Sequence, residues 1–204
     1  MEKSCCHGST DFERSNLLRT GRGGTLSEEY LDVLDSVGRP TGRTKLRREV
    51  HRDGDWHRAV HIWIINHRRE VLLQKRAADK DSWPNRWDIS CGGHLVAGED
   101  SLTGALCELK EELGLCVSKD DLYYLTTTQS STRVAKDFIN NSFYDLFWLQ
   151  TNCESSDFRL QTSELSEVKF VSAVELQAML NERPSPLVPH TEAYQIVLKL
   201  LAEL

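Results

Sequence analysis

Apolar and polar positions change rhythm along this chain, and each change marks an element. Tyr30, Val33 and Leu34 precede a Gly-Arg-Pro-Thr-Gly turn, which predicts a short hairpin and then a basic segment. The densest apolar run covers 57–65, with Val60, Ile62, Trp63, Ile64 and Ile65, and predicts a central strand. Residues 66–69 turn the chain, and 70–76 is expected to pair back as the next strand. Trp83, Pro84 and Trp87 break the pattern. A strand over 88–95 then enters a glycine-bearing loop.

Over 101–113 the period becomes 3.6, and Leu102, Ala105, Leu106, Leu109 and Leu113 form one stripe of a helix. Asp100 or Ser101 caps its start, and Gly114 closes it. Strands follow over 122–129, 143–149 and 168–171, then a helix over 173–181. Pro184, Pro186 and Pro189 stiffen a loop before a last helix running from Thr191 or Glu192 to Leu204. Mixed strands with few helices indicate an α/β sandwich. Residues 1–28 are polar and glycine-rich and predict a disordered tail. Residues 29–55 read as an N-terminal extension, and 56–204 as the domain with its C-terminal helix.

Composition narrows the classes. The 204 residues are 39% hydrophobic and 27% charged, which suits one globular domain with extensions. A net charge of -6 speaks against nucleic acid, since backbone binding wants a basic face. No apolar run approaches the ~18 residues of a membrane helix. Cys5, Cys6, Cys91, Cys107, Cys116 and Cys153 form no CxxC pair and no zinc framework. Reduced thiols in a cytoplasmic compartment are the expectation. Arg14, Arg19 and Arg22 leave room for organelle targeting, against Glu2, Asp11 and Glu13. A homodimer is compatible with all of this.

The helix over 101–113 carries the chemistry. Glu108, Glu111 and Glu112 share one face, because offsets of three and four are neighbours. Three carboxylates near a helix C-terminus repel each other and oppose its dipole. Alone they fit a solvated acidic face. A divalent cation such as Mg²⁺ or Mn²⁺ would relieve the repulsion. Gly104 lies one turn before Glu108, and the glycine suggests room for a ligand over bare backbone.

The stretch from Gly93 to Leu115 resembles the Nudix box. Gly93, Glu99, Glu108, Leu109, Glu111, Glu112, Gly114 and Leu115 stand at its fixed positions, and Cys107 replaces its arginine. The resemblance implies a Nudix-type α/β/α sandwich with a mixed sheet. It implies hydrolysis of a phosphoanhydride bond in a small-molecule diphosphate, with Mg²⁺ or Mn²⁺ as cofactor. Glu112 would be the chief metal ligand and Glu108 a ligand or base. Glu111 would assist, the Gly92 carbonyl would coordinate, and Glu99 would orient the box.

Segments across about 30–175 are similar to the Nudix branch of isopentenyl-diphosphate isomerase, including Trp83-Pro84-Asn85-Arg86-Trp87 and His94. That branch's cysteine falls at Gly92, one residue after Cys91, and its later glutamates fall near Asn140 and Ser142. The intact box therefore favours hydrolysis, with isomerisation as the alternative. A catalytically weak binding or sensor domain is a third reading, motivated by Cys107, which cannot make arginine's forked contact. Among basic residues, Lys75 and Arg76 are candidates to grip a diphosphate, and His94 to touch phosphate. His51, His57, His61 and His94 could suggest a metal cluster, but His57 and His61 share a strand face, which suits packing or substrate contact better than zinc. Trp83 and Trp87 suit a core, and Glu164 or Glu167 is a candidate further ligand.

Overall fold

A computed structural model describes residues 29–80 and 82–204. The tail expected over 1–28 lies outside the described residues.

Strand β3 (Trp56–Asn66) organises the molecule. It runs parallel to β8 (Phe138–Thr151) along its whole length, from Trp56↔Asn141 to Asn66↔Thr151. Its other edge is shared in turn by β1 (Tyr30–Leu34), β6 (Cys91–His94) and β4 (Val71–Arg76). Among the described residues the mixed sheet has nine strands. The other four are β2 (Pro40–Leu46), β5 (Trp87–Asp88), β7 (Tyr123–Ala135) and β9 (Leu165–Val171).

Alternation along β3 explains the layers. Val60, Ile62 and Ile64 face helix α2 (Ser101–Leu113) and meet Ala105, Leu109 and Leu113. Ala59, Trp63 and Ile65 face α3 (Ala173–Asn181) and α4 (Thr191–Glu203), meeting Leu176, Tyr194 and Val197. Each large apolar side chain so buried contributes about 1.5–3 kcal/mol. The result is the expected α/β/α sandwich. Asp100 caps α2 by accepting from Thr103 N at 3.0 Å, and Gly114 ends it at φ 63. Ser172 and Glu175 form a capping box on α3. Among the described residues no helix is long and apolar enough to cross a membrane.

Four expectations need correction. The 70–76 strand touches β3 only at Ile65↔Val71, because β6 occupies the neighbouring edge; β4 pairs instead with β5 and β9. The 88–95 strand splits into β5 and β6. At the break, the buried Ser90 hydroxyl donates to Leu72 O at 2.6 Å and accepts from Ile64 N at 2.9 Å. Strands β7 and β8 extend into a polar ribbon, Ser130↔Ser142 to Ala135↔Phe138, which carried no hydrophobic signal. The basic segment after the first hairpin is a short helix, α1 (Arg47–Asp53), stopped by Gly54 at φ 71.

Candidate active site

Helix α2 delivers two glutamates into the protein. Glu108 and Glu112 are only 8% and 6% exposed, although both carry carboxylates. With Glu111 they line a cavity of about 590 Å³, which Gly92 and Gly93 of β6 also line. The last turn is fixed from outside: Gln161 N donates to Glu112 O, and Arg159 N to Leu113 O, both at 2.9 Å. The glycines let β6 slide against the helix. A Cβ on Gly93 would collide with the Glu108 carboxylate, and one on Gly92 would stand 2.5 Å from Val60 O. Gly92 N lies 3.5 Å from Glu112 Oε2.

Burial, then the neighbouring Glu108 charge, pushes the Glu112 carboxyl well above the usual carboxylate range. Such a group wants a proton or a cation. All-oxygen donors, crowded and desolvated, fit a hard divalent ion such as Mg²⁺ or Mn²⁺. Glu99 Oε2 accepts from Val96 N at 3.3 Å and so folds the glycine loop. Cys107, at the box arginine position, is 1% exposed and packs in the interior. The expected ligand space over Gly104 is absent. A Cβ there would run into Leu95, so the glycine admits a packed leucine rather than a ligand.

Three of the four histidines that could suggest a metal cluster come together beside the cavity, and His61 does not join them. The ring nitrogens of His51 on α1, His57 on β3 and His94 on β6 lie within 4.8 Å of one another. Burial lowers His51 to about 4 and His57 to about 3, and takes His94 well below its ordinary value. All three are neutral near pH 7. His51 Nδ1 lies 3.3 Å from Ile139 O, and His57 Nδ1 3.3 Å from Asp55 O. Donation there keeps the His51 and His57 Nε2 atoms as acceptors, the form in which imidazole ligates a metal. The buried His51 Nε2 has no hydrogen-bond partner. His57 Nε2 lies 2.9 Å from Ser142 Oγ, which is also 2.9 Å from Asn140 Oδ1. The cluster's polar neighbours on β8 are thus neutral. His61 sits apart, over the Tyr144 ring at 4.0 Å.

Cations reach the same cavity. Arg47, Arg76 and Lys80 line it. Arg76 is held by Ser82 O at 3.0 Å and by Asp88 at 3.3 Å, and Lys80 by Glu164 at 2.5 Å. Lys75 stands off the cavity, 5.8 Å over the Trp87 ring and 3.8 Å from Glu167. Of the two candidates Lys75 and Arg76, Arg76 lines the cavity, and Lys80, one of the basic set before the box, lines it too. Trp83 lines the cavity and Trp87 does not. Cys91 is buried on the α2 side with Leu109, whereas a side chain at Gly92 would approach His61 on the opposite face.

The NUDIX domain family model matches residues 55–191. Nudix hydrolase 3 of Arabidopsis thaliana is 43% identical over 170 residues, which are 81% of this chain but 22% of that protein. An isopentenyl-diphosphate Delta-isomerase of Pectobacterium atrosepticum is 35% identical over 94 residues, 46% of this chain and 52% of that one. A crystal structure from Deinococcus radiodurans has a TM-score of 0.61 at 18% identity, covering 82% of this chain and 97% of that one, and shares the fold.

Proposed function

Because this chain belongs to the Nudix family, we propose that it is a metal-dependent hydrolase cleaving a phosphoanhydride bond in a diphosphate-linked small molecule. The observation that carries this reading is the buried pair Glu108 and Glu112 against Gly92 and Gly93, with Glu112 strained toward a proton or cation.

Glu112 and Glu108 would hold Mg²⁺ or Mn²⁺, with the Gly92 carbonyl. The ion when bound supplies charge neutralisation and a more acidic water. Glu111 borders the cavity one turn away from Glu108 and would take a proton from attacking water. Arg47, Arg76 and Lys80 set positive charge where a diphosphate would lie, and the grip of Ser82 and Asp88 fixes the Arg76 guanidinium. His94, neutral, can donate one hydrogen bond to a phosphate oxygen. Positioning and charge stabilisation then do most of the work.

The imidazole cluster favours a second reading, isomerase-like chemistry. Two observations weigh against it. Gly92 has no side chain to move a proton toward the His61 face, and the Cys91 thiol lies on the other face, against the Glu112 carboxylate. The test is a panel of diphosphate compounds with Mg²⁺, followed by isopentenyl diphosphate under NMR. Metal-dependent release of a phosphate-containing product supports hydrolysis. Full activity in EDTA removes the metal mechanism. Dimethylallyl diphosphate formed by wild type and lost in Cys91→Ser establishes the isomerase instead.

A further inference from the structure

A strand with an open edge presents unpaired N–H and C=O groups, and proteins blunt such edges with charge, proline or a bulge. Among the described residues, β2, β7 and β9 each pair along one side only. Two of these edges are protected. Strand β2 carries Pro40, Arg43 and Lys45, and β9 carries Glu167 and Lys169. Strand β7 is different. From Tyr123 to Thr132 it has neither a charged residue nor a proline. Among the described residues, no backbone bond outside its ladder with β8 reaches 123–135, so its outward N–H and C=O groups are unpaired there.

The irregularities of β7 lie near its ends, between Tyr124 and Thr126 and between Arg133 and Ala135. Between them the strand keeps one register against β8, from Thr126↔Leu146 to Arg133↔Ile139. The sequence over 126–132 is Thr-Thr-Thr-Gln-Ser-Ser-Thr, a palindrome of hydroxyl residues about Gln129. Antiparallel pairing of this strand with its own copy about that centre sets Thr126 opposite Thr132, Thr127 opposite Ser131 and Thr128 opposite Ser130. Each pair is hydroxyl on hydroxyl, a favourable cross-strand combination. Opposite residues also share a face, as the pairing requires. Thr127 and Ser131 bond Asp145 and Asn141 of β8 on one face, and Thr128 and Ser130 line a small cavity on the other.

Charge permits the same match. The chain carries a net charge of -6, so two copies repel in most approaches. At this edge each copy presents a neutral segment, and the central Gln129 is neutral and exposed. Its amide nitrogen donates to Ser36 O at 3.3 Å, which brings Val37, 67% exposed, close to the same edge. Just before the hydroxyl stretch, Tyr123 and Tyr124 are 52% and 57% exposed.

We propose that β7 is a self-pairing edge, through which two copies of this chain join antiparallel over 126–132 about a two-fold axis at Gln129. The interface is isologous, and the two nine-stranded sheets become one continuous sheet. Pairing clamps the ribbon whose Val134, Phe138 and Asn140 line the main cavity.

The test is sedimentation velocity of the full chain over about 1–200 µM, where mass action sets the dimer fraction. The expected result is a passage from the 23.3 kDa of one chain to twice that mass. Gln129→Lys and Gln129→Glu each set like charges opposite one another on the axis. Each should raise the dimer Kd about tenfold or more. Mixing the two variants should restore the dimer, because opposite charges then meet. Thr44→Lys, on the protected edge of β2, should leave Kd within about twofold. A wild type that stays monomeric over the whole series overturns the proposal, and slow amide exchange along β7 in that monomer would show the edge covered by this chain itself. A dimer that Gln129→Lys leaves intact also overturns it. So does equal weakening by Thr44→Lys, or a mixture of the Lys and Glu variants that stays monomeric.

Discussion

An acidic cluster lines the main cavity and an imidazole cluster adjoins it, and they meet the same physical problem with opposite signs. Glu108 and Glu112 are acids deprived of water, so burial and mutual repulsion push Glu112 toward its protonated form. His51, His57 and His94 are bases deprived of water, so burial keeps them unprotonated. Both clusters end up as groups of lone-pair donors, and all their members but His57 line the cavity. They differ in what they ask for: the carboxylates need positive charge, while the imidazoles are already neutral and tolerate its absence. On the proposed reading, the acidic cluster is the one that would depend on a hard cation, and the imidazole cluster suits a softer ion or none.

The largest effect separates them by rate. Glu112→Gln should cut Mg²⁺-dependent hydrolysis on the order of 10²-fold or more, as for loss of a charge-stabilising group. His51→Asn should leave the same rate within about threefold, since the Mg²⁺ donors are untouched. Steady-state kinetics of both variants checks this. Equal losses would mean that one metal arrangement spans both clusters.

Stability against pH separates them next, in metal-free protein. The folded Glu112 binds its proton more tightly than the unfolded chain. Its strain is absent below the ordinary carboxylate value and grows as pH rises through the window above it. The imidazoles run the other way. Between about 6.5 and the folded values near 4 and 3, the unfolded chain binds more protons, so stability falls on acidification. Each such histidine can cost several kcal/mol at the bottom of the window. In EDTA, Glu112→Gln should raise Tm at pH 8, and His57→Gln should flatten the loss between pH 6 and 4. Denaturant titrations across pH measure both. A Glu112→Gln variant less stable than wild type at pH 8 would show that the carboxylate is already satisfied.

Saturating Mg²⁺ gives a smaller shift. At 100 times Kd, binding stabilises the folded state by about 2.7 kcal/mol, and Tm should rise by several degrees. Glu112→Gln should lose most of this rise, and His51→Asn should keep it. Calorimetry with and without Mg²⁺ reads the difference. A rise retained by Glu112→Gln assigns the ion elsewhere.

The same contrast explains what could be read from the sequence. Glu108, Glu111 and Glu112 sit within five positions of one helix, so spacing alone brought them together. Asp100 and Gly114 marked that helix's ends for the same local reason. His51, His57 and His94 come from α1, β3 and β6, and only the pairing Ala59↔His94 brings the last beside the others. Pairing partners are nonlocal, and the sequence carries no period for them. His57 and His61 do share a strand face, as alternation predicts, yet only His57 joins the cluster. Lys75 and Arg76 were read together from one strand, but a register shift between them parts their surroundings, and only Arg76 reaches the cavity. The polar ribbon of β7 and β8 escaped because its residues are held by ladder bonds rather than apolar alternation.

Gly104 gives the smallest effect and tests how tightly the acidic cluster's helix is seated. On propensity alone, Gly104→Ala should stabilise α2 by about 1 kcal/mol. Packing opposes this. The added Cβ meets Leu95 first and lies 3.2 Å from Glu99 Oε2. Leu95 is a terminal-methyl contact, but it is buried and cannot swing into solvent. Overpacking of this kind costs typically about 1–3 kcal/mol. The terms nearly cancel, with packing ahead, so the net loss should be about 1 kcal/mol and Tm should fall by a few degrees. Leu95 also adjoins His94, so any relief of the clash moves the imidazole cluster more than Glu112, which is two turns along the helix. Hydrolysis with Mg²⁺ should accordingly stay within about twofold. A variant several degrees more stable than wild type would show open space over the glycine and restore the idea of a ligand lying on bare backbone. A large loss of rate with unchanged Tm would show that Leu95 and Glu99 position the glutamates more closely than their packing alone requires.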